Sequence, residues 1–185
     1  MLKAAIAGAA RNPARGVSGR RVRDENLHLT VLFLGALAAD AEARLAQAAA
    51  GVRVAPFELV LDRVGCFFRA GVLWVGPGRV PPALFELRGQ LEGVARGAGV
   101  AFDPKPLVPH VTCYRDLKKG THTFSKAGSP PGKGVRPLFE PLRWPVRDFA
   151  LVHSAGGQYH VVSQWPLQNA SASNVKTVQA PGGTE

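Results

Sequence analysis

Asn26-Leu27-His28-Leu29-Thr30-Val31-Leu32-Phe33-Leu34-Gly35 and Pro109-His110-Val111-Thr112-Cys113-Tyr114-Arg115 are the two stretches on which the reading of this 185-residue chain turns. Each opens an apolar, strand-like segment with a His-x-Thr triplet. With 5 His and 6 Thr in the chain, about 0.16 such triplets are expected by chance, and two arise in roughly one shuffled chain in eighty. The period of two in a strand puts the His and the Thr of each triplet on one face.

Working outward, the rest of the chain falls into two similar batches, each a strand that begins with His, then a helix or loop, then a hairpin. Ahead of the first triplet, Met1 to Ala10 is an Ala, Leu and Ile run that favours helix, broken by Asn12, Pro13 and Gly16. The basic stretch with Arg20, Arg21 and Arg23 reads as a solvated loop. Leu27 to Leu34 reads as a buried strand closed by Gly35, and Asp40 to Ala50 as a short helix. Phe57, Leu59 and Leu61 alternate with Glu58, Val60 and Asp62 as in a half-exposed strand, with Gly71 to Gly76 around Trp74 as its hairpin partner.

Pro81 and Pro82 stand where a helix start tolerates proline, and Leu84, Leu87, Leu91 and Val94 follow at helical spacing, which predicts a helix over Ala83 to Arg96. His110 to Tyr114 reads as a short strand. Asp116 to Pro145, rich in Lys, Gly and Pro, reads as a long basic loop. Arg147 to His153 and Tyr159 to Trp165 flank Ala155, Gly156 and Gly157 as a hairpin. The expected organisation is a single bilobal unit over 1–168, followed by a disordered polar tail over 169–185.

Composition narrows the partners. The chain has 23 basic and 13 acidic residues, a net charge of +10, and 46% hydrophobic residues, enough to bury a core. That balance favours polyanions such as RNA, DNA or phosphorylated small molecules over an acidic protein surface, although Arg-rich chains are also basic through genome composition alone. Cys66 and Cys113 are far apart and form no C-x-x-C pair, which argues against a disulfide framework or a thiolate zinc site and fits a reducing cytoplasm. No stretch approaches the roughly 18 apolar residues of a membrane span.

Two His-x-Thr strands side by side across a cleft would bring two imidazoles and two hydroxyls into one small volume. Imidazole, with an ordinary pKa near 6.5, can serve as acid in one copy and base in the other. An in-line displacement at phosphorus needs that pair: one takes a proton from water, the other protonates the departing ribose oxygen, and hydroxyls bind the non-bridging oxygens on which charge grows. The scheme calls for no metal and no cofactor. A zinc site built on His28, His110 and a third His lacks a pair of histidines at the usual i, i+4 spacing.

These residues resemble the two-histidine (2H) phosphoesterases, and among them the RNA 2',3'-cyclic phosphodiesterases, also called 2'-5' RNA ligases (the LigT or ThpR type). Glu25 to Gly35 is similar to the family's first motif, Pro109 to Arg115 to its second, and Val72 to Gly76 with Tyr159 to Leu167 to its other strands. The resemblance covers about Arg21 to Leu167. It implies an α+β, bilobal fold: two pseudo-symmetric antiparallel sheets with outer helices and a central cleft. It also implies His28 as proton donor, His110 as proton acceptor, Thr30 and Thr112 as phosphate ligands, and Arg115 as a further phosphate contact. The implied reaction is hydrolysis of RNA 2',3'-cyclic phosphate ends, or of small cyclic nucleotides, to the 2'-phosphate, with 2'-5' ligation as its reverse. The family's members begin with an apolar strand before the first helix, whereas this chain starts at that helix, so Met1 reads as an internal start of a longer protein. Cys113 and Tyr114 replace the smaller or aliphatic residues usual after the second His-x-Thr.

His122, His153 and His160 lack a Thr two residues on and read as structural or surface residues. Trp74, Trp144 and Trp165 read as core or rim aromatics, and Phe67 and Phe68, near Arg69, as a strand-end contact or a base-stacking pair. Two functional classes remain open on the sequence. One is a metal-independent cyclic phosphodiesterase, the other a non-catalytic RNA- or nucleotide-phosphate-binding module using the same basic cleft. A monomer is the expected state.

Overall fold

The computed structural model describes residues 2–11, 14, 18–118 and 135–169, with the backbone alone described at 136, 138 and 139. Its main sheet has five strands, all antiparallel, in the order β1-β4-β3-β2-β5. The two central strands, β2 (Phe57–Phe67) and β3 (Val72–Gly76), form a hairpin over a short 3-10 turn at Phe68–Ala70. Gly71, at φ 59°, closes that turn in the left-handed region that a side chain would make costly. β4 (Val111–Arg115) lies on the outer side of β3, β1 (Arg20–Arg21) edges β4, and β5 (Val135–Val146) edges β2.

One face of this sheet is the core. Leu59, Leu61, Leu73, Val75 and Val111 are buried there against Ile6, Ala7 and Ala10 of helix α1 (Leu2–Arg11). Burying each such aliphatic side chain contributes roughly 1.5–3 kcal/mol, which the small face of α1 makes possible by letting the helix approach closely. Helices α2 (Ala39–Ala49) and α3 (Pro82–Gly97) pack together through Leu45, Ala95 and the turn residues Ala98 and Val100. A second, two-stranded antiparallel sheet pairs β6 (Asp148–Ala155) with β7 (Gln158–Pro166). Gly156 and Gly157, both at positive φ, form its two-residue turn, the geometry that matches strand twist. The architecture is the expected α+β one with two antiparallel sheets, five- and two-stranded among the described residues.

Three expectations are corrected. Leu27 to Leu34 is no strand: it joins the sheet through one isolated antiparallel bridge, Leu29 to Val111. Its backbone is satisfied elsewhere, the Val31 carbonyl by the Arg88 guanidinium and the Phe33 carbonyl by the Asp103 N–H, so no ladder is needed. Val135 to Val146, expected inside a long loop, is a strand. Its Pro137, Pro141 and Pro145 lack ladder donors, and β5 accommodates them because it lies at the sheet edge. Arg20–Arg21, expected as loop, pairs with Tyr114 and Arg115. The remainder of the expected basic loop, 119–134, and the expected tail from 170 onward lie outside the described residues.

Candidate active site

The Leu29–Val111 bridge decides where the two His-x-Thr triplets sit relative to each other. Both side chains belong to the apolar core, Val111 fully buried and Leu29 packed against it. Their chain neighbours therefore point to the opposite face of the sheet. Continued one residue each way, antiparallel register sets His28 opposite Thr112 and Thr30 opposite His110, where directly facing Cβ atoms stand about 4.5–5.5 Å apart. Thus one face carries both triplets.

Each imidazole is held in the same way. His28 Nδ1 lies 2.7 Å from the Asn26 carbonyl and His110 Nδ1 lies 2.7 Å from the Val108 carbonyl. A carbonyl only accepts, so Nδ1 carries the proton in both rings, and Nε2 of each neutral ring is left as the acceptor. The surroundings differ. Burial holds the His28 pKa below its ordinary value of 6.5, opposed by the Asn26 carbonyl and reinforced by the positive charges of Arg115, Lys3 and His110. The Tyr159 ring packs on His28, with centroids 4.2 Å apart and planes tilted by 51°. Beside His110, Phe67 makes an edge contact at 4.9 Å, and Trp74 lies 6.4 Å away.

Trp74 is paired directly with Thr112 on one side and with Gly65 on the other, so its indole lies on the face that bears the histidines. A Cβ at residue 65 would stand 2.3 Å from the indole Cζ2, and one at Gly76 would stand 2.7 Å from the Pro109 carbonyl. Glycine at both positions thus lets the indole lie flat against the sheet and lets the His110 segment approach it.

Four of the five residues expected from the sequence, His28, Thr30, His110 and Thr112, share this face through the bridge. Arg115 ends β4, forms no ion pair among the described residues, and its charge acts on His28. Lys3 was not legible from the sequence, since it lies on α1, 25 residues before His28. Its Nζ donates to the Glu25 carbonyl at 2.6 Å. Asn26 and Tyr159 stood within motif-like segments without a role attached to them. Phe67, open between a strand-end contact and base stacking, is packed against His110 here.

His153 and His160 face each other across the β6–β7 hairpin, and His122 lies outside the described residues. Cys113 is buried, with its thiol pushed up to about 12, and burial also raises the Cys66 thiol, so neither presents a thiolate nucleophile near neutral pH. Among the described residues there is no group of three or more His, Cys, Asp or Glu that could hold a metal ion. No helix among them is long and apolar enough to cross a membrane.

Two antiparallel sheets with a pair of His-x-Thr triplets brought to one face define the class of two-histidine phosphoesterases. The chain belongs to the 2'-5' RNA ligase superfamily, whose model matches residues 3–158. An Escherichia coli protein named RNA 2',3'-cyclic phosphodiesterase is 37% identical over 102 residues, 55% of this chain and 58% of that protein. An Aeropyrum pernix protein of the same name is 31% identical over 103 residues, 54% of this chain and again 58% of the relative. The matched stretches thus span little more than half the length of these curated relatives. Solved structures match over more: apo E. coli LigT superposes with a TM-score of 0.71 at 28% identity, covering 91% of this chain and 94% of that one. The structure of E. coli LigT complexed with 3'-AMP gives a TM-score of 0.69 at 30% identity, covering 90% and 94%.

Proposed function

We propose that this protein hydrolyses RNA ends bearing a 2',3'-cyclic phosphate to the 2'-phosphate by acid–base catalysis between His28 and His110, and that it runs 2'-5' ligation in reverse. The observation that carries this reading is the matched pair of imidazoles on one sheet face, each with Nδ1 tied to a carbonyl and Nε2 left for proton transfer. His110 Nε2 takes a proton from the attacking water, the new P–O bond forms, and the bond from phosphorus to the ribose 3'-oxygen breaks. His28, protonated on Nε2, gives its proton to that oxygen, leaving a 2'-phosphate and a 3'-hydroxyl. The two histidines end with protonation states exchanged and reset through solvent.

Thr30 and Thr112 donate hydroxyl hydrogen bonds to the non-bridging oxygens, and Arg115 adds positive charge where negative charge grows. The neighbouring charges of Lys3 and Arg115 support an anionic substrate in this cleft. The names of the E. coli and A. pernix relatives support the same substrate class, and the 3'-AMP complex of E. coli LigT supports a nucleotide-sized binding site. The reading includes independence of metal and cofactor, a monomeric protein and a cytoplasmic site of action. The two free, buried cysteines support the last of these, and sedimentation at micromolar concentration tests the monomer.

The test is incubation in EDTA with a short RNA ending in a 2',3'-cyclic phosphate, resolving 2'- from 3'-phosphate products. Wild type should yield the 2'-phosphate, and His28→Ala and His110→Ala should each lose about 10²–10⁴ in rate. Turnover unchanged in either variant, or abolished by chelator in wild type, overturns the mechanism.

A further inference from the structure

Asn26 makes two connections at once. Its backbone carbonyl holds His28 Nδ1 at 2.7 Å, and its side-chain Nδ2 donates to the Gly157 carbonyl at 3.0 Å, across a separation of 131 residues. Gly157 is the second turn residue of the β6–β7 hairpin, and Tyr159, two residues further on, is the side chain whose ring packs on His28 at 4.2 Å. The hairpin tip thus meets the first triplet at two points, one hydrogen bond to the residue that orients the imidazole and one ring contact to the imidazole itself.

A histidine that sits outside any strand needs such support. Its segment has a single bridge to the main sheet, at Leu29, so backbone pairing fixes one residue and leaves the ring's rotation about χ1 and χ2 to its neighbours. The Nδ1 bond sets one edge of the ring, and the Tyr159 ring, packed against it at a 51° tilt, restrains the plane. His110, next to the start of β4, has Phe67 in the corresponding place, an aromatic from within its own sheet. His28 draws its aromatic from the other sheet.

We propose that Asn26 and Tyr159 are positioning residues for His28, so that the tip of the β6–β7 hairpin forms a wall of the active site and orients the proton donor. This rests on the assignment of His28 as donor, and the packing argument supports it independently of any substrate. Proton transfer is steeply sensitive to placement, so a ring released from its plane should lower the chemical step while leaving phosphate binding by the threonines and Arg115 in place.

The experiment combines kinetics on the cyclic-phosphate RNA with an NMR titration of the His28 ring in the substrate-free protein, for Tyr159→Ala, Tyr159→Phe and Asn26→Ala. In Tyr159→Ala, kcat should fall about tenfold to a hundredfold with KM within about twofold. The His28 titration should move up towards 6.5, because the ring that buries it is gone while Lys3 on α1, Arg115 on β4 and His110 still face it. Tyr159→Phe keeps the ring and should behave as wild type. Asn26→Ala, which keeps the backbone carbonyl and cuts the tie to Gly157, should shift both readouts in the same direction by less, and the two alanine variants combined should be less than additive.

A folded Tyr159→Ala variant with wild-type kcat and His28 titration overturns the proposal. So does a Tyr159→Phe variant as impaired as the alanine one, which would assign the role to the hydroxyl. The titration needs no turnover: a moved His28 titration in a protein that leaves cyclic phosphate untouched supports the positioning and overturns the hydrolase reading alone.

Discussion

His28 and His110 are related by more than their shared Thr partners: each turns its Nδ1 back to the carbonyl two residues earlier in its own chain, at the same 2.7 Å. Because both carbonyls can only accept, both rings are fixed as the Nδ1–H tautomer when neutral, and both offer Nε2 to a ligand. The expected outcome in a nitrogen-15 correlation spectrum above pH 8 is therefore two rings with Nδ1 protonated and Nε2 bare. Finding Nε2 protonated in the neutral His110 ring would remove it as the acceptor of the water proton and would overturn its role as base.

The direction of the His28 shift can be read directly on the ring. A proton donor must be protonated, and burial, aided by Arg115, Lys3 and His110, makes this ring lose its proton below 6.5. An NMR titration of the substrate-free protein should therefore place the His28 midpoint below 6.5, and the share of enzyme that carries the donor proton should shrink as pH rises through that midpoint. A midpoint above 6.5, measured in constant-ionic-strength buffers, would contradict the burial that the fold imposes on this ring.

The same shift has a stability sign. The folded state holds the neutral ring more strongly than the unfolded chain does, so between the lowered folded pKa and the unfolded 6.5 the unfolded chain binds more protons. Stability from this group is complete above 6.5 and is lost as pH falls through the folded value. A His28→Gln variant should show a flatter dependence of urea midpoint on pH across that window than wild type; equal slopes would contradict the shift.

The histidines and threonines were legible because a strand's period of two and an exact repeat of residue types report on local geometry. The helices were legible for a similar reason: Leu84, Leu87, Leu91 and Val94 follow one periodicity within one element. What failed were readings in which local composition was outweighed by position in the sheet. Pro137, Pro141 and Pro145 argued for loop, yet an edge strand has a free side that needs no donors. Leu27 to Leu34 argued for strand, yet a guanidinium from α3 takes a carbonyl that a neighbouring strand would have used. Tyr159 and Lys3 reach His28 across 131 and 25 residues of sequence, and nothing local to either announces the contact.

Gly65 gives a prediction on the floor of the site. A Cβ there would stand 2.3, 2.6 and 2.7 Å from three atoms of the Trp74 ring system, which is itself confined between β2 and β4. Gly65→Ala should destabilise the fold by about 1–3 kcal/mol by overpacking and tilt the indole towards His110 and Phe67. Urea denaturation followed by tryptophan fluorescence would read both effects, and an alanine variant of wild-type stability and emission would show that the indole has room to move.

Arg88 carries the last prediction, since it does for the first triplet what no strand does. Its side chain is only 12% exposed. It donates to the carbonyls of Val31, Asp103 and Lys105 at 2.9, 3.1 and 3.1 Å while pairing with Glu92. Val31 follows Thr30 directly, so this guanidinium ties the first triplet to α3 and to the approach to the second. An ammonium has one nitrogen where the guanidinium has three, and a methionine has none, so Arg88→Lys should retain part of the network and Arg88→Met should retain none. The methionine variant leaves the half-buried carbonyls of Val31 and Asp103, and the exposed one of Lys105, without this donor and should cost about 2 kcal/mol of stability. It should also lower the rate on cyclic phosphate, because Thr30 loses its anchor, with the lysine variant between it and wild type. If the methionine variant unfolds at the wild-type urea concentration, water replaces the guanidinium at no cost, and the first triplet must be held by the Leu29–Val111 bridge and the hairpin contacts alone.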